Sequence, residues 1–236
     1  MCGRYTLTTP GGRALAERFV LADADAIEPA TLSRFNVCPT EPVAVAVADG
    51  DERVARTMRW GLVPPWAREV GKGFQPINAR AETAATKAPF AELMERPERH
   101  CLVLADGWYE WLKAERKSGE RLPFRYTVDE GGPFAFAGLW ARKRIGSELV
   151  HSVCILTTGA NAVCAPVHDR MPVVLAGPDE EAAWLAGDSE GILGPLAAER
   201  TAVAPANPAV NTAGVEGEEL LTPPPPAEPA QLSLDT

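Results

Sequence analysis

The sequence contains no apolar run of the roughly 18 to 20 residues that a membrane-spanning helix requires. The amino-terminal segment also lacks the basic and then apolar pattern of a secretory signal. No segment repeats at a fixed period, and no long Gly/Ser or charged linker divides residues 1–221. These absences predict a soluble, cytoplasmic protein in which the folded part of the 236-residue chain is one domain.

Cysteine and histidine are scarce and poorly spaced for metal binding. The five cysteines are an odd number, so they cannot all pair in disulfides within the chain. Structural zinc sites use close cysteine pairs, whereas the nearest pair here, Cys154 and Cys164, has nine residues between its members. We therefore expect reduced cysteines, no metal site and no cofactor.

Positive charge is not in excess over the whole chain, whose net charge is −9. The acidity is concentrated near the carboxyl terminus. Residues 1–150 carry 21 Lys and Arg against 20 Asp and Glu, while residues 151–236 carry 2 against 12. Because local rather than global charge governs phosphate contacts, the first segment can still bind nucleic acid.

Short strand patterns outnumber helical ones. Alternating or continuous apolar segments predict strands at Val43–Ala48, Val54–Met58, His100–Leu104, Phe124–Val128, Phe134–Gly138 and Val150–Thr157. Helical periodicity predicts helices at Gly12–Val20, Ala88–Arg96 and Asp179–Ala186. With connections of hairpin length such as Asp129–Pro133, this pattern predicts a mostly antiparallel α+β fold.

The chain ends in a segment of different composition. Residues 222–236 contain a run of four prolines and lack apolar periodicity. Such a segment buries too little apolar surface to offset its ordering entropy. We therefore expect a folded domain over residues 2–221 and a disordered, proline-rich tail over residues 222–236.

The amino terminus carries an unusual pair of nucleophiles. The small side chain of Cys2 permits removal of Met1, which would leave an α-amino group beside a thiol on the same residue. A 1,2-aminothiol condenses with an aldehyde to a Schiff base, and the sulfur then closes a stable thiazolidine ring. Roughly a tenth of such amines and a few per cent of such thiols are nucleophilic at pH 7. The alternative interpretation of Cys2 is a small buried hydrophobe.

A carboxyl group lies among large rings in the segment Trp108-Tyr109-Glu110-Trp111. The two rings that flank Glu110 in the chain predict a pKa raised toward neutrality, which suits proton transfer. A salt-bridged glutamate in an aromatic core is the alternative interpretation.

Two further segments contain candidate polar groups. Asn78 and Arg80 follow a glycine-rich loop and bring an amide and a guanidinium close together in the chain. His168 lies between a proline turn and an apolar strand, where its ring could face a cleft and titrate near physiological pH. His100 and His151 border apolar strands without nearby polar clusters, so we interpret both as structural.

Six sequence blocks together resemble the SOS response-associated peptidase (SRAP) family. They occur in family order from residue 2 to about residue 220: Met1-Cys2-Gly3-Arg4-Tyr5, Arg34–Pro39, Trp60–Trp66, Asn78–Thr83, Asp106–Trp111 and His168–Pro172. The chain most resembles the bacterial abasic-site shields of this family, which crosslink covalently to abasic sites in single-stranded DNA. The resemblance implies a single compact domain with a twisted β core and flanking helices.

The resemblance also implies roles for particular residues. Cys2 matches the nucleophile that condenses with the open-chain deoxyribose aldehyde of the abasic site. Asn78 matches the residue that orients the terminal amine or the sugar. Glu110 and His168 match residues implicated in proton transfer during formation and reversal of the crosslink.

The implied partner is single-stranded DNA, bound by a monomer without a cofactor. Arg4 and Arg80 match arginines that hold DNA phosphates, and Trp60 and Trp66 match a tryptophan motif near the DNA surface. Some members carry a second tryptophan where this chain has Ala67, so base stacking is expected to be weaker here.

Two other functions remain open from the residues alone. In a cysteine peptidase or amidohydrolase of the N-terminal-nucleophile type, Cys2 and His168 would form a dyad, with Asn78 or backbone amides as oxyanion donors. In a non-covalent binding module for single strands or strand junctions, Cys2 would be incidental. Acyl-enzyme formation on peptides would indicate the first, and a complex that dissociates in hot detergent the second.

Overall fold

A computed structural model describes residues 2–113 and 121–223 of the protein. Within these ranges, strands dominate. They are β1 (Tyr5–Leu7), β2 (Arg34–Val37), β3 (Pro42–Asp49), β4 (Glu52–Trp60), β5 (Asn78–Arg80), β6 (His100–Ala105), β7 (Gly107–Lys113), β8 (Arg121–Val128), β9 (Phe134–Ile145), β10 (Glu148–Gly159), β11 (Arg170–Pro172), β12 (Val174–Leu175) and β13 (Thr201–Pro205). The α-helices are α1 (Gly12–Phe19), α2 (Ala81–Ala84), α3 (Ala91–Met94) and α4 (Pro178–Leu185). Short 3-10 helices span Pro29–Thr31, Pro97–Arg99, Ala198–Arg200, Pro208–Asn211 and Glu218–Leu221.

The strands form two sheets. One has five strands in the order β13-β8-β7-β1-β2. The other has eight, in the order β11-β10-β4-β3-β6-β9-β12, with β5 attached to β10 and a further pairing of β9 with β10. All pairings are antiparallel except those of β10 with β4 and β5. The structure therefore confirms the predicted α+β fold, a single compact domain with a mostly antiparallel β core and few helices.

The apolar faces of the sheets pack into one continuous core, and aromatic rings join them. The ring of Tyr5 on β1 meets Trp60 on β4 at 5.3 Å and Phe136 on β9 at 5.8 Å, both edge to face. Trp108 on β7 meets Phe136 at 6.3 Å in the same manner. Such T-shaped contacts are favourable for aromatic quadrupoles. Because β1 and β7 belong to this core, the amino terminus is held against the molecular interior.

Each of the six predicted strands lies within an observed one, whereas one predicted helix is wrong. Over Ala88–Arg96 only Ala91–Met94 is α-helical. Pro89 disfavours the α conformation at the residue before it, and a helix that begins after this point has room for only one turn. The helices at Gly12–Val20 and Asp179–Ala186 are confirmed to within one residue at each end.

The connection Asp129–Pro133 has hairpin length but does not form a hairpin. The strands on either side of it, β8 and β9, belong to different sheets, so the segment carries the chain from one layer to the other. Its tight reversal is supported by Asp129 at a φ of 50° and Gly131 at a φ of 90°. Long hairpins are instead formed by β3 with β4 and by β9 with β10.

The predicted tail over residues 222–236 lies outside the described residues except for Thr222 and Pro223, so its disorder stays a prediction. In the part of the chain that is described, no helix is both long enough and apolar enough to cross a membrane. The five cysteines are all unpaired and buried.

Candidate active site

Strand β1 holds the amino-terminal segment because both of its edges are paired. Tyr5 pairs with Val37 of β2 on one side and with Trp108 of β7 on the other. The N–H of Tyr109 also donates to the carbonyl oxygen of Arg4 at 3.0 Å. The residues just before β1 therefore run beside β7, the strand that carries Glu110.

The buried carboxylate of Asp106 fixes the chain at the other end of β1. It accepts hydrogen bonds from the hydroxyl of Thr6 at 2.6 Å, from the hydroxyl of Thr8 at 2.8 Å and from the N–H of Thr9 at 3.2 Å. The N–H of Thr8 donates to it as well. An ionised acceptor with several donors is a strong local constraint. Asp106 thus prevents β1 from sliding along β7.

Cys2 is fully buried at this end of the core. Its thiol Sγ lies 3.9 Å from the carbonyl oxygen of Arg4. Burial, reinforced by the negative charge of Glu110, raises the pKa of the Cys2 thiol well above its usual range. The thiol is therefore protonated at neutral pH, and its reaction as a nucleophile needs a base.

Asn78 joins Cys2 to the second sheet. Its Nδ2 group donates to the carbonyl oxygen of Cys2 at 2.7 Å. The position of Asn78 is set by the parallel pairing of β5 with β10, in which Asn78 lies opposite Ile155. The Oδ1 atom of Asn78 is buried and accepts no hydrogen bond from any described residue. It is an available acceptor for an N–H or O–H group of a reactant.

Glu110 is buried on β7, with 2% of its surface exposed. Desolvation raises the pKa of this carboxyl to about 7. Asp169, the neighbour of His168 in the chain, raises it further by like-charge repulsion. A carboxyl with this pKa can both donate and accept a proton near neutral pH.

The rings around Glu110 differ from those predicted. Because side chains alternate along a strand, Tyr109 and Trp111 face away from Glu110 and pack near Ala206 and Val210. The ring that shares the face of Glu110 on β7 is Trp108. It stacks at 5.1 Å on Tyr126, its cross-strand neighbour on β8. The raised pKa was predicted correctly, but by reference to the wrong rings.

His168 lies on the segment before β11. The N–H of Arg170 donates to its Nδ1 atom at 2.9 Å, an arrangement that places the ring proton of the neutral imidazole on Nε2. Asp169 Oδ1 lies 3.0 Å from the same nitrogen and can pair with it when the ring is protonated. The side chain is 22% exposed, so the ring is half-buried.

The two predicted phosphate-binding arginines have different surroundings. The Nη1 group of Arg4 donates to Oδ1 of Asn36 and to the carbonyl oxygen of Val210, each at 2.7 Å. Arg80 is exposed at the end of β5 and has no ion pair within the described ranges. Arg4 is thus anchored by the protein, whereas Arg80 is open to a ligand.

Comparison with known proteins identifies the family of this chain. The SOS response associated peptidase (SRAP) family matches residues 1–213. The chain belongs to the SRAP family. A relative named abasic site processing protein YoaM, from Bacillus subtilis, is 35% identical over 190 residues, which are 78% of this chain and 79% of that protein.

Two further SRAP comparisons cover more of the chain. Abasic site processing protein YedK from Escherichia coli is 28% identical over 233 residues, covering 94% of this chain and 100% of that protein. A crystal structure of a protein from Bacteroides thetaiotaomicron matches 94% of this chain and 100% of its own with a TM-score of 0.78. Its sequence identity is 18%, so it supports the fold alone.

The two tryptophans of the SRAP motif lie in different environments. Trp60 is fully buried, and its indole N–H donates to the carbonyl oxygen of Ile77 at 3.0 Å. The expectation that Trp60 lies near a DNA surface is therefore wrong, because its ring fills the core beside Tyr5. Trp66 is 55% exposed and lines a surface groove with Phe74, which is 60% exposed.

Sequence reasoning gave no role to two buried polar residues near the candidate site. Asn36 is buried, and besides accepting from Arg4 it donates to the carbonyl oxygens of Thr212 and Val215. Tyr126 has a buried hydroxyl, and both Cys164 and Glu110 raise its pKa beyond the effect of desolvation. Neither residue stands out in the chain, because their contacts join distant segments. The sequence offers one signal for Asn36, a polar residue within a short strand, and none for Tyr126.

Proposed function

We propose that this protein senses and shields abasic sites in single-stranded DNA by a covalent crosslink through Cys2. The relatives named abasic site processing proteins support the damaged site as the target. The observation that carries the covalent proposal is the 2.7 Å hydrogen bond from Asn78 to the carbonyl oxygen of Cys2, beside the buried carboxyl of Glu110. A residue held in this way is positioned to react and not only to pack.

The proposed reaction begins with removal of Met1, which frees the α-amino group of Cys2. The amine attacks the open-chain deoxyribose aldehyde, and loss of water gives an imine. The thiol sulfur then adds to the carbon of the protonated imine as the thiol loses its proton to a base, and the nitrogen keeps its hydrogen. The product is a thiazolidine ring, and one water molecule is released overall.

Glu110 serves both steps because the pKa of its carboxyl is about 7. As an acid it protonates the departing hydroxyl of the carbinolamine, and as the resulting carboxylate it takes the proton from the Cys2 thiol. The thiol needs such a base because its pKa is raised by burial. His168 is assigned a second proton transfer, to the sugar oxygens, from its position beside Asp169.

We assign binding of the DNA strand to charged and aromatic side chains outside the buried Cys2 site. Arg80 contacts a phosphate, and Arg4 supports this role from its anchored position next to Cys2. Trp66 provides a ring on which a base can stack. None of these contacts reads a base edge, so recognition depends on the aldehyde and not on sequence.

A cysteine peptidase is less well supported by the site. A Cys–His dyad relies on a thiolate, which requires a depressed thiol pKa. The surroundings of Cys2 act in the opposite direction, since burial and Glu110 both raise the thiol pKa. Removal of Met1 is the only peptide cleavage that the proposed chemistry requires, whether by the protein itself or by an aminopeptidase.

Intact mass spectrometry tests this proposal. The purified protein is mixed with an oligonucleotide that contains one abasic site and, separately, with the same oligonucleotide carrying an intact base. We expect a protein mass that lacks Met1, and with the abasic strand alone a new species equal to protein plus oligonucleotide minus one water. Recovery of only unmodified protein from the abasic mixture would overturn the covalent proposal.

A further inference from the structure

A second group of arginines surrounds a small groove outside the Cys2 site. The groove has a volume of about 110 Å³ and is lined by Arg96, Arg99, Arg142 and Glu92, together with prolines of the segment after β4. Arg96 is paired with Glu98 at 2.8 Å and with Glu92 at 3.3 Å, so these two carboxylates are already engaged, against three guanidinium groups. The groove therefore has an excess of positive charge.

Arg99 and Arg142 supply this excess. Neither guanidinium forms an ion pair or a side-chain hydrogen bond with any residue in the described ranges. The guanidinium of Arg99 instead lies 4.5 Å above the ring of Trp140. Desolvation and repulsion from Arg96 and Arg142 lower the pKa of Arg99. Glu98 and Glu92 oppose this effect, but both carboxylates pair with Arg96, so Arg99 and Arg142 have no ion-pair partner of their own among the described residues and favour the binding of an anion.

His151 borders the same cluster, contrary to the expectation that it has no polar surroundings. It lies directly opposite Arg142 in the β9–β10 pairing, and its ring is 6.0 Å from that of Trp140. Desolvation lowers the pKa of His151, and so do Arg56 on β4, Arg142 on β9 and Arg99 from the 3-10 helix before β6. The pKa of the His151 imidazole is therefore sensitive to the positive charge of the neighbouring arginines.

The groove continues the surface to which the proposed function assigns the DNA strand. Pro64 lines both this groove and the neighbouring one that carries Trp66 and Phe74. His151 precedes Ile155, the partner of Asn78, by four residues on β10. That separation is about 13 Å along a strand. A DNA strand covers this distance with about four nucleotides at roughly 3.4 Å per nucleotide, and with fewer nucleotides if the strand is extended.

We propose that the groove formed by Arg96, Arg99 and Arg142 binds a backbone phosphate of the DNA strand that flanks the abasic site. The planar guanidinium groups match a phosphodiester in geometry and charge. The strand would pass from Asn78 over the segment of Trp66 and Pro64 to this groove. This inference rests on the proposed function for the direction of the strand, but the groove itself needs no aldehyde.

The test uses an undamaged single-stranded oligonucleotide, so that it does not depend on crosslinking. Affinity is measured by fluorescence anisotropy between 50 and 200 mM salt for the wild type, Arg99→Ala, Arg142→Ala and Arg142→Lys. Loss of one phosphate contact lowers the slope of log affinity against log salt by about 0.7. We expect this decrease for each alanine variant and a slope close to wild type for Arg142→Lys. Arg13→Ala, which removes an exposed charge on α1, is the matched control and should not change the slope.

NMR titration of His151 provides a second readout that a merely structural role would not change. A phosphate in the groove offsets the neighbouring arginines, so the oligonucleotide should raise the pKa of His151, and Arg142→Ala should abolish this increase.

Wild-type slopes in both alanine variants together with an unchanged His151 pKa would overturn the inference. An equal His151 response to millimolar inorganic phosphate would overturn the DNA strand as the occupant. Failure of crosslinking with these responses intact would contradict only the proposed function.

Discussion

Glu110 owes its chemistry to the register of one strand pair. The sequence predicts a raised pKa from rings adjacent in the chain, whereas in the structure the ring on the same face of β7 as Glu110 is Trp108, which stacks on its cross-strand neighbour Tyr126. Residue order alone does not reveal which ring lies across a strand, because register is set by tertiary packing. A tryptophan motif likewise does not show which face of β4 is buried, so the family resemblance does not reveal that Trp60 lies in the core.

Replacement of Glu110 by glutamine should slow crosslinking. Glutamine keeps the size and polarity of the side chain but cannot transfer a proton, so we expect the rate to fall by roughly 10²- to 10⁴-fold. Crosslinking by the wild type should change most steeply near pH 7, the approximate pKa of this carboxyl, and the variant should lose that step. Rates are measured from gel-resolved time courses between pH 5.5 and 8.5. A variant with the wild-type rate and pH profile would remove Glu110 from the mechanism.

The stability of the same variant serves as a control for folding. Because the pKa of Glu110 is higher in the folded state than the usual 4.5, the folded protein retains a proton that the unfolded chain has released. The stability contributed by this proton is greatest below pH 4.5 and is lost as the pH rises through 7. Glu110→Gln, which stays neutral, should therefore gain stability relative to the wild type between pH 5 and pH 8. Thermal unfolding at both values measures this difference.

Among the elements, the long strands are predictable and the short ones that build the site are not. β3, β6, β9 and β10 have continuous apolar patterns, whereas β1 and β5 have three residues each and no periodicity to detect. The parallel pairing of β5 with β10, which places Asn78, joins segments more than 70 residues apart. Such pairings depend on the whole fold and leave no local pattern.

Asp106 should determine how firmly β1 is held. In Asp106→Asn the carboxylate that accepts from Thr6, Thr8 and Thr9 becomes an amide whose NH₂ group cannot accept. Unsatisfied buried donors cost about 1–3 kcal/mol, so the free energy of unfolding should fall by about that amount. Asp49→Asn, at an exposed ion pair with Arg56, is the matched control and should change stability by less than about 0.5 kcal/mol. Equal effects in urea denaturation would show that Asp106 does not anchor the strand.

Across the whole molecule, the six sequence blocks identify the family, but they do not show how the acidic carboxyl-terminal part of the chain is used. Arg34 pairs with Glu216 at 2.7 Å, and the carboxylate of Glu216 also accepts from the N–H groups of Phe35 and Asn36. Part of the acidity thus serves to hold the segment around Glu216 against β2. The net charge of the chain is therefore a poor guide to the charge around Cys2.

The central claim is that the thiol and the amine of Cys2 act together, and blocking the amine tests it most directly. A variant with an additional residue before Cys2 that is not trimmed keeps the thiol but converts the amine into an amide, whose lone pair is delocalised. It is mixed with abasic single-stranded DNA beside the processed wild type, and both are analysed by denaturing gel electrophoresis. The account predicts a heat-stable band for the wild type and none for the blocked protein. A band of equal intensity from the blocked protein would contradict it.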